Sequence, residues 1–266
     1  MSRPKQYGIC HICGKYRKLS FEHVPPQKAY NNEPAHMAKG EEFIRNITKA
    51  NFEDIKTRIY QRGSGGYTLC EKCNNDTGSW YGNSYLDWVY QAASIIHYTS
   101  GKPTLHYPYF IFPQRVIKQI VCMFFSANGP EFRKLHPELV KFVLNREHKY
   151  IEDSLRIYCY YNPTYVGRQT GVSIIANTKG EFESVSEISF FPFGYLMTIE
   201  SKKQRNNILD ITFFSKYEYN DWVDLTFQIP CYSIATWFPG DFRTKEEVKQ
   251  TIEYNRKHYS KRNRKP

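Results

Sequence analysis

The 266-residue chain is 41 % hydrophobic, enough to bury one large core or two ordinary ones, which excludes a disordered tail protein. No stretch approaches the roughly 18 consecutive apolar residues of a membrane span, so the chain reads as soluble, with no membrane partner. Lys+Arg 37 against Asp+Glu 26 leaves a net charge of +11, which points to a polyanionic partner such as nucleic acid.

The opening residues Met1–Tyr7 lack the apolar core of a signal peptide, so the expected compartment is the cytoplasm, where thiols stay reduced. Residues 7–77 mix turn residues with paired cysteines and show little apolar periodicity, as a small metal-stapled unit would. Within them, 36–62 (Phe43, Ile44, Ile47, Phe52, Ile55, Ile59) reads as an inserted helical segment. Gly63-Ser64-Gly65-Gly66 reads as a flexible linker, a lid or a close approach to nucleic acid. Tyr85, Trp88, Val89, Ala92, Ile95 and Ile96 recur at helical spacing and predict an amphipathic helix over Asn83–Tyr98, stopped at Gly101-Lys102-Pro103. These elements make up a first unit, 1–100.

A second unit, 105–254, opens with a predicted strand at Tyr107–Phe112. A helix starting at Pro113 follows, with Val116, Ile117, Ile120, Val121 and Phe124 on one face, and another after Pro137. Strand-like runs come next at Leu155–Tyr161, Gly171–Ala176, Glu187–Phe191, Tyr195–Glu200, Ile208–Phe214 and Val223–Ile229. Together they predict a mainly antiparallel sheet with helices on one side, an α+β domain. A last helix over Thr244–Tyr254 feeds the arm 255–266, which carries six basic residues and no acid.

Four of the seven cysteines form two pairs, Cys10-His11-Ile12-Cys13 and Cys70-Glu71-Lys72-Cys73. Two such pairs are what a tetrahedral thiolate site for Zn²⁺ requires, and Gly14 suits a knuckle after the first. Cys122, Cys159 and Cys231 lie in apolar contexts and read as core residues. A plain zinc ribbon leaves unexplained the 56 residues between Cys13 and Cys70.

Cys10-x-x-Cys13-Gly14, then Leu19-Ser20-Phe21-Glu22-His23-Val24-Pro25-Pro26, then Leu69-Cys70-x-x-Cys73-Asn74-x-x-Thr77-Gly78 resembles the HNH endonuclease superfamily in its zinc-stapled, treble-clef ββα-metal form, nearest to the endonuclease VII type. The resemblance covers residues 7–80. It implies an HNH module followed by the α+β domain, and divalent-metal-dependent hydrolysis of phosphodiester bonds, most readily in DNA. It also implies His23 as general base, Glu22 as a ligand of Mg²⁺ or Mn²⁺, and Asn74 as a second oxygen ligand, with Asn75 as a competitor. The chemistry agrees: hydrolysis needs a base for water and a cation for the phosphate charge. Successive residues of a strand face opposite ways, so Glu22 and His23 share a target only where the strand ends, as Pro25-Pro26 implies.

One departure stands out. The family carries an asparagine shortly before the second cysteine pair that braces the histidine loop, and this chain has only Gly63 to Tyr67 there. Lys15, Arg17, Lys18, Lys28 and Arg62 are the candidate phosphate contacts. By association, such proteins belong to prokaryotic restriction or anti-phage defence. The rival readings are a non-catalytic zinc-stapled nucleic-acid binder, in which Glu22 and His23 are structural, and an RNA nuclease.

Overall fold

The computed structural model describes residues 6–38, 56–102, 105–176, 182–201 and 205–259. Strand β1 (Tyr7–Ile9) pairs antiparallel with β2 (Tyr16–His23), and a small ribbon joins β3 (Ala35–Ala38) to β4 (Thr57–Tyr60). Strand β5 (Gly65–Cys70) returns antiparallel along the other side of β2. The expected inserted helix is therefore bounded by strands; its middle, 39–55, lies outside the described residues. Ile59, counted with the helical run, is instead an exposed strand residue.

Helix α1 (Glu71–Tyr98) starts directly where β5 stops, at Cys70. It begins twelve residues before the expected Asn83 because Asn74, Asn75, Asp76 and Gly78 dilute the apolar stripe of its first turns. Cys73, Thr77, Tyr81, Tyr85, Trp88, Ala92 and Ile96 nevertheless run down one buried face at helical spacing. Gly101, with φ +75°, closes the helix by donating its N–H to the Ile96 carbonyl.

The second half opens with β6 (Tyr107–Ile111), then α2 (Pro113–Ala127), which is buried almost all round, and the short helices α3 (Phe132–Leu135) and α4 (Pro137–Leu144). An antiparallel sheet follows, in the order β11-β7-β10-β9-β8, from β7 (Leu155–Tyr161), β8 (Arg168–Ala176), β9 (Phe182–Phe190), β10 (Phe193–Ile199) and β11 (Leu209–Asp210). The strand expected over Ile208–Phe214 shrinks to two residues. Asp210 accepts the Thr212 N–H in a side-chain turn, and a 3-10 turn occupies Thr212–Lys216. Strand β12 (Val223–Phe227) pairs with β6 instead of joining the larger sheet. Helix α5 (Lys245–Tyr259) runs past the expected end at Tyr254; residues 260–266 of the basic arm lie outside the described residues. The fold is mixed α+β with mainly antiparallel sheets. Among the described residues no helix is long and apolar enough to cross a membrane.

One continuous core joins the two halves. Trp88 of α1 stacks on Phe193 of β10 at 4.6 Å, meets Tyr109 of β6 at 4.3 Å, and donates its indole N–H to the Tyr195 hydroxyl at 3.1 Å. At the far side of the sheet, the buried pair Arg168–Glu187 (2.8 Å) is completed by Tyr160, whose hydroxyl donates to Glu187 at 2.6 Å, and by the Gly240 N–H at 2.7 Å. Arg168 also donates to the Thr236 carbonyl, so this network straps the 236–240 segment to the sheet.

Candidate metal centre and active site

The two cysteine pairs converge. The first sits on the β1–β2 turn, where Gly14 donates to the Cys10 carbonyl and Cys10 to the Lys15 carbonyl. Gly14 has φ +72° and packs against the Arg133 guanidinium, so any side chain there would be both strained and obstructed. The second pair spans the end of β5 and the first turn of α1. Ligand atoms of Cys10, Cys13, Cys70 and Cys73 all lie within 4.8 Å of one another, with the Cys13 and Cys70 sulfurs 3.9 Å apart. Zinc–sulfur bonds of about 2.3 Å in a tetrahedron require sulfurs about 3.8 Å apart, so the cluster fits a metal such as Zn²⁺. A hydrogen bond from Cys73 lowers the Cys10 thiol below its ordinary value, and the same bond, with burial, pushes Cys73 up. Such proton sharing between crowded thiols is what a divalent cation replaces on binding.

The knuckle is anchored from the second half of the chain. His11 Nδ1 donates to the Phe125 carbonyl at 2.9 Å, and Arg133 Nε donates to the Ile12 carbonyl at 3.1 Å. Cys122 and Cys159 are fully buried, as expected; Cys231 is only partly so and reaches the Gly101 carbonyl.

Beside this cluster lies a cleft of about 270 Å³ lined by Phe21, Glu22 and His23 of β2, Lys28 of the following loop, Asn74 and Thr77 of α1, and Gln119 of α2. Glu22 and His23 are neighbours on β2, which ends at His23, and both line the cleft although Phe21 and His23 share one face of the strand and Glu22 alternates with them. Glu22 is 7 % exposed, and among the described residues nothing donates to its carboxyl; burial pushes that carboxyl up to about 8. His23 Nε2 donates to the Arg62 carbonyl at 2.9 Å, which leaves the lone pair of the neutral ring on Nδ1. Its ring meets Phe21 edge-on at 4.9 Å. Asn74 Nδ2 donates to Ser20 Oγ at 3.0 Å, freeing Oδ1 as an oxygen donor, whereas Asn75 is exposed and does not line the cleft.

The histidine loop is braced by a residue that no motif in the sequence marks. Asn31, 1 % exposed, donates to the carbonyls of Pro25 (2.6 Å) and Ser64 (2.8 Å) and accepts the Ser64 N–H (2.6 Å). It ties the segment after His23 to the segment that carries the Arg62 carbonyl. The glycine run is accordingly neither linker nor lid. Gly63 has φ +88° and lies so close to Asn31 that a side chain could not fit, and Gly65 and Gly66 are strand residues.

The candidate phosphate contacts scatter. Lys28 lines the cleft and Arg62 adjoins it through its carbonyl, whereas Lys15 and Arg17 are exposed near the knuckle and the Lys18 ammonium is held by Glu71. Gln119 carries no motif signal either. It sits in an apolar helix run, and its Oε1 is buried with no hydrogen-bond partner among the described residues. Glu22, Asn74 and Gln119 thus each carry a side-chain oxygen and line the same cleft. Comparison with protein-family models, curated proteins and solved structures finds no match.

Proposed function

We propose that this protein is an HNH-type, divalent-cation-dependent nuclease that hydrolyses phosphodiester bonds, with DNA as substrate and the four-cysteine cluster holding a structural Zn²⁺. The observation that carries this reading is the convergence of Glu22, His23 and Asn74 on one cleft beside that cluster.

In this reading Glu22 and Asn74 would hold the catalytic ion. A bound Mg²⁺ or Mn²⁺ supplies positive charge against the phosphate and the departing sugar oxygen. His23 is the base: with Nε2 committed to the Arg62 carbonyl, Nδ1 accepts a proton from the attacking water as its oxygen bonds to phosphorus and the bond to the leaving oxygen breaks. Asn31 keeps the ring in place by fixing both backbone segments that meet at it. Lys28 offers a cation at the rim for the flanking phosphate, where it positions the backbone without reading bases.

The test incubates the purified protein with plasmid DNA, and separately with RNA, in Mg²⁺ or Mn²⁺ with and without EDTA. Nicking by wild type that EDTA stops, and that His23→Ala loses at unchanged zinc content and circular dichroism, is the expected result. Wild-type-like cleavage by His23→Ala would remove the mechanism, and metal-dependent cleavage of RNA alone would reassign the substrate.

A further inference from the structure

Among the lining residues of the candidate cleft, Gln119 alone comes from outside the N-terminal sheet, its following loop and α1. It lies in the middle of α2, is 3 % exposed, and its Oε1 has no hydrogen-bond partner among the described residues. Native chains rarely keep an unpaired buried oxygen without a use for it. Of the buried unpaired side-chain atoms among the described residues, those of Gln114, Glu152, Arg168 and Thr198 are elsewhere; only that of Gln119 belongs to the cleft holding Glu22, His23 and Asn74. Cys122, three residues on along the same side of α2, has its thiol pushed up by burial first and by the Glu22 charge second.

We infer that Gln119 is a third oxygen donor, beside Glu22 and Asn74, to the divalent cation of this cleft, so that the second half of the chain completes the site. A neutral amide oxygen is a hard ligand that suits Mg²⁺ and Mn²⁺ and adds no charge to the site. Turning the amide about its last bond exchanges oxygen and nitrogen in place, so the side chain can present its oxygen to an ion without moving the helix. The inference rests on the cation site of the nuclease reading and extends it.

The test titrates Mn²⁺ into the full-length, zinc-loaded protein by calorimetry, with electron paramagnetic resonance as a second readout. Wild type should bind one Mn²⁺ and Glu22→Gln should lose it. Gln119→Leu should bind about 10–100-fold more weakly, the usual cost of losing a ligand or its support, and Gln119→Glu more tightly than wild type. The ion-free melting temperature of Gln119→Leu should equal or exceed that of wild type, because the change removes an unpaired polar group; a packing role would lower it and spare Mn²⁺ affinity. If Glu22→Gln loses the ion while Gln119→Leu stays within twofold of wild type, the inference fails and the nuclease reading stands. A wild type that binds no Mn²⁺ overturns both. Should Gln119→Leu not fold, Gln119→Glu decides, and an affinity unchanged by the added carboxylate overturns the role.

Discussion

Truncating Asn31 to alanine removes three short hydrogen bonds at once. The Ser64 carbonyl keeps a partner in the Val24 N–H at 3.0 Å, so the groups left unpaired are the Ser64 N–H and the Pro25 carbonyl. At about 1–3 kcal/mol for each stranded group, with water entering the vacated space to repair part of the loss, the change should destabilise the protein by about 3 kcal/mol. For a chain of this size that is a fall of about 6–12 °C in melting temperature, read by calorimetry or circular dichroism. The exposed neighbour Asn32 is the control: Asn32→Ala should stay within about 0.5 kcal/mol of wild type. Under the proposed hydrolysis the same change frees the Arg62 segment from the His23 segment, and misplacing a base by about 1 Å costs about 100-fold in rate. Nicking by Asn31→Ala, measured well below its melting temperature, should therefore drop by at least that factor with zinc content unchanged. A melting temperature equal to that of wild type, or full nicking activity, would refute the argument that Asn31 braces this loop.

If the four cysteines hold a metal as proposed, Cys70→Ser should lose it and with it the junction between β5 and α1, because Cys70 belongs to the cluster and is the residue on which the helix begins; metal analysis and the melting curve read both. Glu187→Ala should cost at least about 3–5 kcal/mol by leaving the Arg168 guanidinium buried without its carboxylate; Arg168→Met combined with Glu187→Leu should recover the part due to the guanidinium but still strand the Tyr160 hydroxyl and the Gly240 N–H, a comparison that chemical denaturation resolves. Deleting the basic arm 255–266 should weaken binding to duplex DNA and flatten its salt dependence by about 0.9 in log–log slope for each phosphate that the arm neutralises. An unchanged slope would show that the arm touches no phosphate.

The sequence spoke clearly where local chemistry repeats at short range. Leu155–Tyr161 is a strand as expected because its β-branched and aromatic run is bounded by turn residues, and the two Cys-x-x-Cys pairs announce a cluster because each is a local turn. It was silent where partners are remote. Asn31 braces a loop more than 30 residues away, and Gln119 reaches the cleft from another helix; neither has a spacing that a motif could register. It misled where side-chain turns compete with strand propensity, as Asp210 does at Thr212, and where polar residues interrupt a helix stripe, as at Asn74–Gly78.

Helix α1 bears on how the chain could be taken apart. Its 28 residues span about 42 Å, with the thiolate cluster at one end, and the ring of Trp88 is sandwiched against residues of the later sheet. A fragment ending after the helix would carry Tyr81, Tyr85, Trp88, Val89 and Ile96 as an uncovered apolar stripe, and the remainder would lose the ring that fills the space against Phe193. The cysteine-bearing unit is thus not a cassette that can be excised and moved to another scaffold; grafting it would require carrying along, or replacing, the wall that its own helix leans on.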